Sequence, residues 1–215
     1  MAVIGITGSI ASGKTALLEY LENSKYPTFS CDQYVKTLYR DENVVQKIIK
    51  NFPEFELLNK NSLAKIIYSD SVKRQRLEKI LHPLVAKGLE EFLANNYATH
   101  QVSLEQKLGS RSKSAPHLFL EIPLLFEAGW EKYCDYIITL CCPKEIRLQR
   151  GLERGLSKEM FDAIDKTQMH EELKVQKSHF IINTNVNWEE EITEFERVMD
   201  TICKAPRETV VSNSS

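Results

Sequence analysis

The sequence predicts an α/β protein whose five-stranded parallel sheet is covered by helices on both faces, in the three-layer arrangement of P-loop nucleotide-binding proteins. Three observations lead there. Gly8-Ser9-Ile10-Ala11-Ser12-Gly13-Lys14-Thr15 is a G-x-x-x-x-G-K-[ST] string directly behind an apolar run, the pattern of a loop whose backbone N–H groups cradle phosphates. Short apolar runs with strand character recur at Ala2 to Thr7, Tyr26 to Cys31, His117 to Ile122, Tyr136 to Leu140 and Phe180 to Ile182. The stretches between them carry helical periodicity, and strands alternating with helices give parallel pairing.

In chain order, the first run is a buried strand, and the loop behind it leads into a helix whose apolar face is Ala16, Leu17, Leu18, Tyr20 and Leu21. Lys14 is expected to reach the β- and γ-phosphates of a nucleotide, and Thr15 to offer its hydroxyl to a bridging Mg²⁺. The interval from about Gln33 to Ala98 has mixed charge and no clear strand, so it is expected to form a helical lobe inserted between the second and third strands, over 33–98. Within it, Arg74 to Leu81 leads to His82-Pro83; the proline is expected to end or kink one helix and can start the next. The polar, glycine- and serine-bearing stretch 99–116 is expected to be a surface loop, 144–175 a helical lid, and 205–215 a disordered tail. The nucleotide-binding core is then 1–32, 117–143 and 176–204, all within one domain over 1–204.

Composition narrows the function classes. With 28 Lys and Arg against 30 Asp and Glu, the net charge of -2 argues against a general nucleic-acid-binding surface. The five cysteines show no C-x-x-C spacing, which favours neither a disulfide framework nor a zinc site and suits a reducing cytoplasm. The apolar N-terminus lacks a basic flank and is interrupted by the glycine-rich loop, so it is expected to be a core strand, with no membrane span and no secretory signal. No obligate protein partner is evident.

Three further constellations bear on phosphate chemistry. Asp32 follows the second strand at the carboxyl edge of the sheet, where ligands bind in open α/β folds. There it is placed to accept the proton of an attacking hydroxyl; the structural alternative is a cap for the helix beginning at Gln33. Glu121 ends the third strand and is a candidate to hold a Mg²⁺-bound water beside Thr15, while Glu127 on the following loop is either a site residue or an exposed charge. Arg147, Arg150, Arg154 and Lys158 are spaced three, four and four residues apart and are expected to share one helical face. Behind the fourth strand, that is where a lid would carry Arg150 and Arg154 over the nucleotide.

Taken together, the G-I-T-G-S-I-A-S-G-K-T opening, Cys31-Asp32, Leu81-His82-Pro83-Leu84-Val85, Ile122-Pro123-Leu124-Leu125-Phe126-Glu127 and the Arg150, Arg154 and Gln168 of the lid resemble the dephospho-coenzyme A kinase family, over roughly residues 1 to 200. The resemblance implies transfer of the γ-phosphate of ATP, with Mg²⁺, to the ribose 3′-hydroxyl of dephospho-coenzyme A. It implies Asp32 as base, Lys14 and Thr15 as phosphate and metal contacts, Arg150 as a lid contact to ATP, and acceptor-side roles for His82, Lys87 and Glu127. His82 equally reads as a cap for a helix starting at Pro83.

The chain departs from the family pattern at several points. Ser30-Cys31-Asp32 keeps one acid where Asp-Ala-Asp is usual, Ala86 with Lys87 beside it replaces an arginine, and Glu121 replaces aspartate. Arg154-Gly155-Leu156-Ser157 is one residue short, and Asn183-Thr184-Asn185 does not align cleanly with the family's asparagine. The competing functions are a nucleoside or nucleotide monophosphate kinase and a non-catalytic paralogue that binds ATP or coenzyme A. A GTP-dependent switch protein is excluded because no Asn-Lys-x-Asp string occurs.

Overall fold

The computed structural model describes residues 1–53, 70–106 and 117–205. Its centre is a parallel sheet of five strands, β1 (Val3–Gly8), β2 (Thr28–Ser30), β3 (Leu118–Glu121), β4 (Tyr136–Cys141) and β5 (Phe180–Asn183), in the spatial order β2-β3-β1-β4-β5. The helices are α1 (Lys14–Asn23), α2 (Cys31–Leu38), α3 (Glu42–Asn51), α4 (Ser71–Gln106), α5 (Lys144–Glu153), α6 (Lys158–Asp165), α7 (Glu171–Lys177) and α8 (Trp188–Lys204).

Alternation along each strand loads both faces of the sheet, as burial on two sides requires. Leu118 and Leu120 of β3, with Val3 and Ile137, pack against Val85 and Leu89 of α4. Phe119, on the other face, joins Ile4, Ile6, Ile138 and Leu140 beneath Leu17 and Leu21 of α1 and Phe195, Val198 and Ile202 of α8. The inserted helices have a core of their own, Val44, Ile48 and Phe52 of α3 and its end against Leu77, Ile80 and Leu81 of α4.

Three expectations need correction. Pro83 neither ends a helix nor starts one: α4 runs through it as a single element. Interior proline costs about 3 kcal/mol through a lost hydrogen bond and a ring clash. Burial of Leu77, Ile80, Leu81, Val85 and Leu89 on both sides of it, at about 1.5–3 kcal/mol per side chain, outweighs that cost. The first part of the surface loop expected over 99–116 is helical instead, because α4 continues to Gln106; its residues Thr99 to Gln106 contain no glycine or proline to stop a helix. Residues 107–116, and 206–215 of the expected tail, lie outside the described residues. Finally, the arginine stripe does not share one helix. Helix α5 ends at Glu153 with Arg154 as its C-cap, Gly155 turns the chain at φ 84°, and Lys158 opens α6. Among the described residues, no helix is long and apolar enough to cross a membrane.

Candidate active site

The strand order decides which loops meet. Because β3 lies between β1 and β2, the carboxyl ends of these three strands adjoin, and each delivers a different group: the P-loop from β1, Asp32 from β2 and Glu121 from β3. In the register of the sheet, Glu121 is opposite Ile6 on one side and Ser30 on the other.

The P-loop closes through backbone that favours glycine at two points. Gly8 has φ 150°, and a Cβ there would lie 2.6 Å from the Leu140 carbonyl oxygen; Gly13 has φ 99° and is the N-cap of α1. No side chain caps α1, so the N–H groups of its first turn face the loop as an anion site. The loop is anchored from outside. Gln168 Oε1 accepts from the Ile10 amide at 2.7 Å, and Thr184 Oγ1 donates to the Ser12 carbonyl at 2.8 Å.

Lys14 is buried and its Nζ donates to the carbonyls of Gly8 and Ser9, each at 3.0 Å. Burial pushes its ammonium below the ordinary lysine value, while the charges of Glu121 and Asp32 oppose that shift. Glu121 is 4 % exposed and accepts from Ser30 Oγ at 2.6 Å. Burial, and then the negative charge of Asp32, raise its carboxyl above the usual range, against the pull of Lys14. Ser30 has a second task, capping α2 by accepting from the Gln33 amide at 3.2 Å. Asp32 is therefore not the cap; it stands exposed in the first turn of α2, where the helix dipole favours its charge.

These groups open onto a cleft of about 420 Å³ that is also lined by Arg74, Glu78 and His82 of α4 and by Trp130, Arg154 and Gln168. His82 tilts against Trp130 with ring centroids 5.5 Å apart, and burial lowers its pKa, which favours the neutral imidazole. With no helix starting at Pro83, His82 is a cleft wall residue and caps nothing.

The remaining expected site residues are placed elsewhere. Arg150 donates Nη2 to the Thr184 carbonyl and so braces the chain after β5. Arg147 is buried, with Nη1 on Asp165 Oδ1 at 2.6 Å and Nε on the Cys142 carbonyl at 3.0 Å. Lys87 is not brought to the cleft: its side chain is 74 % exposed and pairs with Glu91 one turn along α4 at 3.7 Å. Glu127 is not brought there either. Its Oε1 accepts from the Met169 amide at 2.6 Å and lies 3.4 Å from Nζ of Lys174, a lysine with 0 % side-chain exposure that also donates to the Pro123 carbonyl at 3.1 Å. Ala86, where the family pattern has arginine, packs against the sheet core, and it is Val85 that lines the cleft.

Reading the residues in isolation missed Arg74, Glu78, Tyr39 and Trp130, which line the cleft, and the buried role of Lys174. Helical spacing could have set Arg74, Glu78 and His82 on one face, at intervals of four. Nothing local marks Lys174, since its burial depends on a loop that is distant in sequence.

For a metal, the donors present are oxygen: the exposed Thr15 hydroxyl and the carboxylates of Glu121 and Asp32. Among the described residues no group of three or more His, Cys, Asp or Glu side chains could enclose an ion. That set fits Mg²⁺ held mainly by substrate phosphates and water.

Comparison with known proteins agrees with the geometry. The dephospho-CoA kinase family model matches residues 2–190. The dephospho-CoA kinase of Rickettsia bellii is 37% identical over 188 residues, 87% of this chain and 90% of that protein. That of Rickettsia prowazekii is 35% identical over 208 residues, 95% of this chain and 100% of the relative. Among solved structures, a Thermus thermophilus protein superposes with a TM-score of 0.75 at 30% identity, covering 95% of this chain and 98% of its own. The dephospho-CoA kinase of Campylobacter jejuni gives a TM-score of 0.58 at 27% identity, covering 93% and 96%. A P-loop fold with this sheet order and these matches across nearly its whole described length places the chain in the dephospho-CoA kinase family.

Proposed function

We propose that this chain transfers the γ-phosphoryl group of ATP to the ribose 3′-hydroxyl of dephospho-coenzyme A, giving coenzyme A and ADP, with Asp32 as the general base. The observation that carries this reading is the cleft itself: the P-loop, Asp32 and Glu121 line one cleft together with His82 of α4.

The P-loop amides and the start of α1 would hold the β- and γ-phosphates. Lys14 exchanges the carbonyls of Gly8 and Ser9 for phosphate oxygens; burial makes its charge expensive until an anion arrives, and Glu121 and Asp32 offset part of that cost. Asp32, exposed at the cleft mouth, takes the proton of the 3′-hydroxyl as that oxygen bonds to the γ-phosphorus and the bond from that phosphorus to the bridging β–γ oxygen breaks, leaving ADP. Arg154 lines the cleft and would balance the charge of the transferred group, and Arg150 would reach ATP only by leaving the Thr184 carbonyl. Thr15 and Glu121 would hold Mg²⁺, which when bound neutralises phosphate charge.

On this reading the helices of 33–98 are the acceptor lobe and those of 144–175 the lid. Since all five cysteines are free thiols, a reducing cytoplasm suits the protein.

The test is a mass-resolved assay of the purified chain with ATP, Mg²⁺ and dephospho-coenzyme A, with nucleoside monophosphates as parallel acceptors. Coenzyme A as the product is expected. Phosphorylation of a monophosphate instead would move the assignment to a monophosphate kinase. ATP binding without any product would point to a non-catalytic paralogue.

A further inference from the structure

We infer that Arg74 is the anion contact on the acceptor side of the cleft, binding the diphosphate that links ribose to pantetheine in dephospho-coenzyme A. This rests on the reaction proposed above and goes beyond it by naming a residue that fixes acceptor specificity.

The cations facing this cleft are unevenly placed. Lys14 belongs to the P-loop and Arg154 to the segment after α5, and the reaction proposed above assigns both to the donor phosphates. Among the residues of α4 that line the cleft, Glu78 carries a carboxylate, as Asp32 does on α2, and His82 favours its neutral form. An acceptor carrying two diphosphate charges would meet carboxylates there unless a cation were supplied. Among the described residues, Arg74 is the positively charged group that α4 presents to the cleft.

Its neighbours on α4 are committed elsewhere. Arg76 lies over the Phe52 ring, 5.5 Å from the centroid, and Lys87 pairs with Glu91 on the solvent side. Arg74 is only loosely held: its Nε lies 3.8 Å from Glu78 Oε1, one turn further on, with its side chain 22 % exposed. That separation is too long for a hydrogen bond. The carboxylate therefore draws the guanidinium toward it without a hydrogen bond, and among the described residues no other side chain engages its donors. A guanidinium fork matches phosphate oxygens in pairs, which a lysine ammonium does not.

The experiment is steady-state kinetics on the full chain for Arg74→Ala, Arg74→Gln and Arg74→Lys, varying each substrate separately. Loss of a charge-assisted contact predicts a KM for dephospho-coenzyme A raised about 10- to 100-fold in Arg74→Ala. The KM for ATP and kcat should stay within about twofold, and Arg74→Lys should recover part of the loss. Equilibrium titration with dephospho-coenzyme A should show wild-type affinity falling more steeply with salt than that of Arg74→Ala. An acceptor KM changed less than about threefold, or a matching rise in the KM for ATP, overturns the inference. If Arg74→Ala fails to fold, Arg74→Gln decides by the same criteria.

The two readings fail separately. Wild-type protein that makes no coenzyme A refutes the reaction, whereas normal turnover with an unchanged acceptor KM in the variants refutes only the role of Arg74.

Discussion

Glu127→Ala tests whether this residue is a structural counter-ion or a substrate contact. Its carboxylate is the partner of Lys174, whose side chain is wholly buried, at 3.4 Å, and it also accepts the Met169 amide at 2.6 Å. Removing it leaves an ammonium supported by the Pro123 carbonyl and the more distant charge of Glu171. Breaking one side of a buried pair typically costs about 3–5 kcal/mol. An independent ceiling comes from the alternative of neutralising the lysine. From an ordinary value of 10.5 down to pH 7, at about 1.4 kcal/mol per unit, that costs about 5 kcal/mol. The two figures agree, and for a chain of this length they correspond to a melting temperature lower by roughly 10–15 °C.

The sign of the pH dependence follows from the same group. Burial already lowers the Lys174 pKa, and the charge of Glu127 opposes that; removing Glu127 lowers it further. Between the folded value and 10.5 the unfolded chain binds the extra proton, so the variant, whose folded value is the lower, gains stability as pH rises and the deficit against wild type narrows. Thermal unfolding at pH 7, 8 and 9 reads this directly. Glu127→Gln, which keeps an acceptor for the Met169 amide, should lose less. A melting temperature within about 3 °C of wild type, or a deficit independent of pH, would refute the reasoning. So would a selective rise in the KM for dephospho-coenzyme A in a well-folded variant, which would restore Glu127 as an acceptor contact.

Asp32→Asn is expected to lower kcat by about 10²- to 10⁴-fold with the ATP dissociation constant nearly unchanged, measured by turnover and nucleotide titration; near-normal turnover would remove Asp32 as the base. Gly8→Ala places a Cβ 2.5 Å from Ser12 Oγ and 2.6 Å from the Leu140 carbonyl oxygen at φ 150°. It should cost about 3 kcal/mol or more in urea denaturation and weaken ATP binding, because backbone has to move. Asp165→Asn should cost about 3 kcal/mol near neutrality by stripping Arg147 of its partner. Burial would raise the Asp165 pKa, but Arg147 and Lys144 hold it below the ordinary 3.8. Its contribution is therefore complete above that value and lost as pH falls through the folded one, so the variant's acid-unfolding curve should be flatter there.

The donor half of the site was legible in the chain because its signals are local. A P-loop needs glycines, a lysine and a hydroxyl at fixed offsets behind a strand, and all of them lie in residues 8–15. Buried parallel strands announce themselves as apolar runs, so each of the five was found to within a few residues of its observed ends. Gln33 as the start of α2 was the kind of boundary error that caps produce. Ser30 takes the cap, which brings Asp32 inside the first turn.

What only the tertiary structure decided depends on contacts between segments far apart in the chain. Placing β3 between β1 and β2 joins Asp32 and Glu121 to the P-loop, and nothing in any one segment states that order. Lys174 and Glu127 look like surface charges along the sequence, yet the fold buries Lys174 completely and brings it to Glu127 on the loop after β3. Arg74 acquires a cleft to line in the same way, when the fold brings α4 and the P-loop to one site. Pro83 shows the balance of forces most plainly: the backbone preference against it is worth a few kcal/mol, and burial of the apolar residues on either side exceeds it. Sequence thus determined which chemical groups were available and which segments were strands, through short-range geometry, while long-range packing chose which of those groups share the cleft.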